Sequence, residues 1–155
     1  MNGAWVHRDN HLKHTDAMTT HGLLIADEDL TTRKQMAELF SDAGYQVSVP
    51  TSMAGVLYGI LKKTVKVVLL STRFDELLAT ELIPLMKKCN RDLTIILVAS
   101  ELPLALLRRA RSEGIFYHAL KPGTAPGDDE ELRQAVKCAF EKANQDDQHD
   151  GPSAD

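Results

Sequence analysis

The sequence predicts an α/β domain in which helices cover both faces of a doubly wound, five-stranded parallel sheet. Short apolar runs alternate five times with amphipathic segments between residues 22 and 144, which is typical of repeated βα units. The central apolar runs lack the polar alternation of a sheet with one open face, so both faces should be buried. The chain has 155 residues, a length that suits one domain with a substantial core.

The first two βα units occupy residues 22–61. The run "GLLIAD" (22–27) predicts a strand that stops at an acid, and the amphipathic helix after it should end at Gly44. "YQVSVP" alternates as a strand does, and Pro50 fits an edge position. Ser52 is then expected to cap the second helix.

The remaining three units show the same alternation of a strand and a helix. "VKVVLLS" predicts the third strand, and a loop leads to a helix in which Pro84 fits only within the first turn. "LTIILVAS" predicts the fourth strand, Pro103 opens the next helix and Gly114 ends it. "IFYHALKPG" predicts the fifth strand, and "DDEELRQAVKCAFEKA" predicts a last helix with acids in its first turn.

Composition sets the domain limits and excludes several classes of protein. We expect one domain over residues 21–144, a disordered extension over 1–20 and a disordered acidic tail over 145–155. The net charge of −4 argues against nucleic acid or an anionic membrane as a partner. Two cysteines in separate helical segments indicate neither a disulfide framework nor a zinc site. Without a transmembrane run or a signal-peptide pattern, the expected location is the cytoplasm.

Polar residues collect where the predicted strands end. In a doubly wound sheet a binding site lies at the carboxyl ends of the strands. Acids, hydroxyls and a lysine brought together there would suit a phosphate group and a divalent cation. The residues at these strand ends are Asp27, Glu28, Asp29, Ser71, Ala99, Ser100 and Lys121, of which Ala99 alone is apolar.

This pattern resembles the receiver domain of two-component response regulators, over the whole predicted domain. Asp27 and Glu28 match the acidic pair with which that family holds magnesium. Ser71 stands at the position of the aspartate that accepts a phosphoryl group, and Lys121, followed by proline, matches the strand-five lysine. The resemblance implies a flavodoxin-like or CheY-like (βα)5 fold with strand order 2-1-3-4-5.

Three departures from the family pattern indicate a degenerate phosphorylation pocket. Ser71 has a neutral hydroxyl that cannot form an acyl phosphate, and Ala99 lacks the hydroxyl expected at the end of strand four. His118 replaces the Tyr or Phe of the family's switch position. With Asp27 and Glu28 as the two remaining carboxylates, we expect weak magnesium binding at most and no resident cofactor.

The resemblance therefore implies a stand-alone, phosphorylation-independent interaction module of signal transduction, and not an enzyme. Its partner would be a signalling protein: a kinase, a regulator or an output protein. The family's face of helix four, strand five and helix five is the expected contact surface, and it also suits a homodimer. In this sequence that face carries Arg108, Arg109, Arg111 and His118.

A second interpretation stays open on the segment "LLIADEDLT". An apolar strand followed by D-x-D-x-T resembles the nucleophile motif of magnesium-dependent phosphatases of the haloacid-dehalogenase type, with Asp27 as nucleophile and Asp29 as acid/base. That family needs a flap after this motif, whereas here a helix begins almost at once. The remaining roles would fall to Ser71 or Ser100, Lys121, Asp128 and Asp129.

Overall fold

The structure is a computed structural model that describes residues 21–149. The predicted extension over 1–20 and the last residues of the predicted tail, 150–155, lie outside the described residues. The elements in chain order are β1 (Gly22–Ala26), α1 (Leu30–Asp42), β2 (Gln46–Ser48), α2 (Met53–Leu61), β3 (Val67–Leu70), β4 (Arg73–Phe74), β5 (Leu77–Leu78), α3 (Ala79–Cys89), β6 (Thr94–Val98), α4 (Leu104–Ser112), β7 (Tyr117–Ala119) and α5 (Glu130–His149).

Five strands form one sheet in the order β2-β1-β3-β6-β7, and every neighbouring pair is parallel. Because β4 and β5 form a separate two-stranded sheet, this order is the predicted 2-1-3-4-5. The prediction of an α/β, doubly wound parallel sheet is confirmed. Strands β1, β3 and β6 are buried along their whole length, as their continuous apolar runs require.

Helices cover both faces of this sheet. Successive residues of β3 point to opposite faces, Val68 and Leu70 to one and Val67 and Leu69 to the other. Helices α2, α3 and α4 pack on the first face, here called the α2–α4 side. Helices α1 and α5 pack on the second, the α1–α5 side. No helix within residues 21–149 is both long and apolar enough to cross a membrane.

Several helix ends agree with the sequence analysis. The Ser52 hydroxyl accepts a hydrogen bond from the Gly55 amide at 3.2 Å and so caps α2. Gly44 and Gly114 follow α1 and α4 with φ angles of 99° and 104°, a left-handed conformation that glycine adopts without strain. At the far end of the domain α5 continues to His149, so it extends past the boundary expected at residue 144.

Helix α3 departs from its prediction. Pro84 was expected within the first turn, but it is the sixth residue of a helix that begins at Ala79. Proline removes one helical hydrogen bond and usually kinks or ends a helix. Here Leu82, Ile83 and Met86, all fully buried, anchor α3 on the sheet around the proline. Tertiary packing therefore outweighs the local preference.

A small hairpin replaces the predicted loop before α3. Strands β4 and β5 pair antiparallel, with Arg73 opposite Leu78, and Asp75 and Glu76 form the two-residue turn. Both turn residues have positive φ, at 52° and 64°, as a tight hairpin turn of this type requires. Each strand has only two residues, and the turn lacks the Asn-Gly signature, so the sequence contains no pattern that predicts the hairpin.

Candidate functional site

The carboxyl ends of β1, β3, β6 and β7 form one crevice, as in other doubly wound sheets. Asp27 directly follows β1, Ser71 follows β3 and Ala99 follows β6. Lys121 follows β7 by two residues and lowers the pKa of the Asp27 carboxyl through its charge. The topology therefore brings the predicted pocket residues to the same edge of the sheet.

Asp27 is the buried acid of the crevice, with 1% of its surface exposed. Its Oδ1 accepts a hydrogen bond from the Asp29 amide at 2.9 Å, whereas its Oδ2 is buried without a hydrogen-bond partner among the described residues. Burial raises the pKa of this carboxyl, and the Asp29 amide and the Lys121 charge offset only part of that effect. The fold thus holds a carboxyl group whose charged form is poorly compensated.

Ser71 has a definite structural contact. Its hydroxyl donates a hydrogen bond of 2.6 Å to the carbonyl oxygen of Arg73, and its amide donates to the Ala26 carbonyl at 3.0 Å. The hydroxyl is near enough to lower the pKa of Asp27 slightly, yet its proton is directed at Arg73 and the Asp27 Oδ2 stays unpartnered. Ser71 therefore ties the end of β3 to the hairpin.

Arg73 is a crevice residue that the sequence analysis missed. Its Nε lies 4.0 Å from Oε2 of Glu28, and the two side chains are 59% and 50% exposed. A long, exposed ion pair of this kind is weak. The pair nevertheless directs Glu28, the second residue of the acidic pair, toward an arginine of the same chain instead of a metal ion. The available signal was an arginine two residues after the predicted third strand, within "STRFDE".

Asp29 occupies the N-cap position of α1. Its Oδ2 accepts a hydrogen bond from the Thr32 hydroxyl, and chiefly for that reason the pKa of Asp29 is lowered. Asp27 and Asp29 are therefore pushed in opposite directions: burial favours the neutral form of Asp27, and hydrogen bonding favours the charged form of Asp29.

Ala99 and His118 are joined across the crevice wall. Ala99 is 2% exposed, and its carbonyl oxygen lies 3.1 Å from Nε2 of the half-buried His118 ring. A carbonyl oxygen can only accept, so Nε2 carries the proton. The histidine ring is therefore turned toward the sheet, while Ser100, one residue beyond Ala99, is exposed.

The donors for a magnesium ion are few. Asp27 and Glu28 offer two carboxylates, and Glu28 already faces Arg73. Ser71 adds a neutral oxygen whose proton is committed to a carbonyl group. In the part of the chain that the structure describes, no three His, Cys, Asp or Glu side chains are placed to hold a metal together. This donor set fits a tightly bound divalent cation poorly.

The acids proposed for the phosphatase interpretation have local partners instead. Asp128 accepts a hydrogen bond from the Ala125 amide at 3.0 Å, within the loop before α5. Asp129 forms an ion pair with Arg133 at 3.2 Å, one turn along α5. Asp75, which could be considered a substitute acceptor, accepts a hydrogen bond from the Met53 amide at 2.7 Å and so binds the start of α2.

The three arginines of α4 do not share one stripe. All three are exposed, and helical spacing places Arg108 and Arg111 in line with the exposed Leu104. Arg109 lies on a neighbouring stripe and pairs with Glu113 at 3.8 Å. The surface next to them on β7 and α5 is ordered by Glu131, which accepts hydrogen bonds at 3.0 Å from the Tyr117 hydroxyl and the Leu120 amide.

Comparisons with known proteins bear on the fold. No family model matches the sequence, and no curated protein matches it. Solved structures do match. A CheY-like response regulator receiver domain protein from Methanospirillum hungatei JF-1 is 17% identical, with a TM-score of 0.72, and the match covers 83% of this chain and 99% of that one.

Two further structures agree. Chemotaxis protein CheY4 of Vibrio cholerae is 15% identical, with a TM-score of 0.68, over 78% of this chain and 99% of its own. The beryllofluoride-activated NtrC4 receiver domain dimer is 16% identical, with a TM-score of 0.70, over 80% and 99%. This chain has the CheY-like receiver fold. Identities this low establish the fold and leave the chemistry to the residues of the crevice.

Proposed function

We propose that this protein is a receiver-fold signalling module that works through protein–protein contacts and without phosphorylation of the crevice. The observation that carries the proposal is the state of Ser71. The family's phosphoacceptor position holds a neutral hydroxyl, and its proton is already donated to the Arg73 carbonyl. No histidine base contacts this hydroxyl among the described residues, and aspartyl chemistry needs a carboxylate at this point.

The surroundings of Ser71 support the same conclusion. Phosphoryl transfer to a receiver depends on a cation shared between the acceptor and the acidic pair. Glu28 instead faces Arg73, and the Asp27 carboxyl has a raised pKa because of its burial. At the end of β6, Ala99 has no hydroxyl to contact a phosphoryl group. Each of these residues weakens a different part of the family's reaction.

A direct test uses acetyl phosphate, or beryllium fluoride as its stable mimic, with magnesium and the full-length protein. We expect no mass increase, and no change in the amide NMR spectrum around Asp27 or Ser71. The matched control is a receiver domain with the aspartate in place, which should respond under the same conditions. A hydroxylamine-sensitive acyl phosphate on this protein would overturn the proposal.

The contacts of the acids also favour the signalling role over the phosphatase alternative. A general acid must hold a proton near neutral pH, whereas hydrogen bonding lowers the pKa of Asp29. Asp128 and Asp129 are engaged with their own loop and helix. Incubation with p-nitrophenyl phosphate and magnesium should therefore release no nitrophenol above the rate of an Asp27→Asn control. Turnover that this variant abolishes would restore the phosphatase interpretation.

For the contact surface we propose the face made by α4, β7 and α5, which would receive a signalling partner or a second copy. It combines exposed apolar groups, Leu104 and Leu120, with the positive charges of Arg108 and Arg111. Exposed aromatic and arginine side chains are the residues most often found at the centre of interfaces, and Tyr117 supplies the aromatic ring. A partner with an acidic rim would complement this face.

The surface can be tested by charge reversal. Arg108→Glu combined with Arg111→Glu should abolish co-purification of the partner from the source cell, and should abolish self-association if sedimentation detects a dimer. Lys88→Glu combined with Arg91→Glu is the matched control, because both side chains are exposed but lie at the end of α3 and in the loop that follows it. Equal loss in both proteins would point to a general charge effect and contradict this placement.

A further inference from the structure

A cavity opens between α3 and α4, next to the hairpin. Its volume is about 250 Å³, and apolar side chains form most of its wall. Leu97 from β6 and Ala110 from α4, each 1% exposed, are its most deeply buried residues. Leu102 and Leu106 line it from the α4 side, and Ala79 lines it from the start of α3. The small alanines on facing helices leave this space because neither side chain reaches across it.

The size of the cavity limits what it can hold. A dry apolar cavity of roughly 150 Å³ is large enough for a benzene molecule. Sites for drug-sized ligands and cofactors run from about 300 to 1,000 Å³. A cavity of about 250 Å³ therefore suits one aromatic or branched apolar group, and it is too small for a nucleotide or a comparable cofactor.

The mouth of the cavity indicates that its ligand extends beyond it. Leu78, at the hairpin end of the rim, is 42% exposed. A ligand that only filled the cavity would leave this leucine in water. A polypeptide carrying one anchor side chain would cover it as well, which is how anchor residues operate in protein interfaces.

Charges on the rim define the chemistry of that polypeptide. Arg73 lines the cavity from the hairpin, and its side chain is 59% exposed with a weak partner, Glu28, at 4.0 Å. It is therefore available to a carboxylate of the ligand, which it can bind through two parallel hydrogen bonds. Glu101 lines the cavity from the loop between β6 and α4 and disfavours a uniformly acidic segment.

We propose that this cavity is a second docking site, which takes a segment of a partner protein with one bulky apolar anchor and an acidic residue beside it. The anchor side chain fills the space above Leu97 and Ala110, and the acidic side chain binds Arg73. The site lies on the α3 side of α4, away from Arg108 and Arg111, and it does not depend on the surface proposed above. Because Thr72 and Arg73 line it, occupancy reaches the segment that Ser71 holds in place.

The test is an amide NMR titration of the full chain with the dipeptide probe N-acetyl-Asp-Phe-amide. We expect saturable shifts at Leu97, Leu106 and Ala110, with affinity in the millimolar range that suits so small a probe. N-acetyl-Asp-Ala-amide, which lacks the anchor, should produce none of them. Shifts confined to other parts of the domain, or no shifts at all, would overturn the proposal.

Two variants separate the cavity from its charged rim. Ala110→Leu fills the cavity and should abolish the shifts, whereas Ala105→Leu, the same change at an exposed position of α4, should leave them intact. Should Ala110→Leu fail to fold, Arg73→Gln provides the decision. It should weaken the Asp-Phe probe roughly tenfold and leave N-acetyl-Asn-Phe-amide unaffected. Equal binding of the Asp-Phe probe by wild type and Arg73→Gln would contradict the acidic contact.

The source of the ligand is tested with phenylacetate, which offers the same ring and carboxylate as a free small molecule. If the site is built for a polypeptide, phenylacetate binds more weakly than the dipeptide, because it leaves Leu78 uncovered. Tighter binding of phenylacetate would contradict the proposal of a partner segment and would indicate a small-molecule ligand instead. Arg108→Glu with Arg111→Glu should change neither titration, so failure of this proposal and failure of the first surface remain distinguishable.

Discussion

The α1–α5 side of the sheet and the crevice at its carboxyl end differ in the kinds of contact that their residues make. On the α1–α5 side, the rings of Tyr45 and Phe140 stack with centroids 5.0 Å apart, and Phe40 meets Tyr45 edge to face at 5.8 Å. At the crevice, Oδ2 of Asp27 is buried without a hydrogen-bond partner among the described residues, and Glu76 is held in a left-handed conformation. Aromatic contacts dominate the first region, whereas the second leaves an oxygen of a titratable group without a partner.

This difference separates the part of the domain that stabilises the fold from the part that is suited to function. Aromatic stacking and the burial of apolar side chains stabilise the domain on the α1–α5 side. Unpartnered polar groups and left-handed turn residues destabilise a protein, and natural proteins concentrate them at functional sites. The cavity beside α4 belongs to the same end of the molecule. We therefore expect truncation of a side chain to cost more on the α1–α5 side, and we expect some substitutions at the crevice end to stabilise the protein.

Phe140→Ala should have the largest effect. The side chain is 3% exposed and stacks on Tyr45, so its truncation should lower the free energy of unfolding by about 3–5 kcal/mol. Leu106→Ala is the counterpart at the other region. That side chain is half-buried and faces an existing cavity, so its loss should cost about 1 kcal/mol. Urea denaturation measures both, and equal losses would contradict the comparison.

Asp27→Asn should stabilise the protein at neutral pH, by less than Phe140→Ala destabilises it. Burial raises the pKa of Asp27 above its ordinary value of 3.8, so the folded state binds this proton more tightly than the unfolded chain. The stability that this group contributes is therefore full below the ordinary pKa and is lost as pH rises through the raised folded pKa.

The pH dependence of that variant provides the check. Melting temperatures of the two proteins should differ most above the raised pKa, with Asp27→Asn the more stable. The difference should shrink as the pH falls toward 3.8. A gap that widens in acid would mean that the charged form of Asp27 is stabilised by the fold.

Ser71→Ala should lower the free energy of unfolding by about 0.5–1.5 kcal/mol, the usual net contribution of one intramolecular hydrogen bond. The reason is the lost donor to the Arg73 carbonyl. Hydrogen exchange should show faster opening of the hairpin while the β1–β3 ladder keeps its protection. Unchanged protection of the hairpin would show that Ser71 is a passive occupant of the crevice.

Glu76→Gly should have the smallest effect, a stabilisation of about 0.5 kcal/mol. Glycine adopts the φ of 64° found at this turn position without the steric cost that a side chain carries there, although its greater freedom in the unfolded chain offsets part of the gain. Thermal unfolding can resolve the change. Gly127→Ala, which places a side chain on a glycine with a φ of 88°, should shift stability the other way.

The sequence predicts most of the fold because long, repeated patterns of apolar and polar residues correspond to its strands and helices. Continuous apolar runs identified β1, β3 and β6, and the Ser52 cap and the glycine stops identified helix ends. The hairpin escaped because strands of two residues carry no period and its turn uses Asp and Glu. Pro84 was misplaced because the packing that holds α3 around it is tertiary.

Most of the residues that form the crevice can be predicted from the sequence, but Arg73 and the contacts between the residues cannot. The spacing of Asp27, Ser71, Ala99 and Lys121 suffices to place them at one edge of the sheet. Which oxygen lacks a partner depends on distances of a few tenths of an ångström, which no spacing encodes. For the same reason the pairing of Glu28 with Arg73 could be found only in three dimensions.

The hydrogen bond from Ser71 to Arg73 also limits which residues this position can accept. An ionised aspartate has no proton to donate, so Ser71→Asp would leave the Arg73 carbonyl without this donor and set a second carboxylate beside Asp27. That substitution would therefore begin with a loss of stability, before any metal or phosphoryl group could compensate. With the hairpin in its present place, serine is easier to keep at this position than to exchange for an acid.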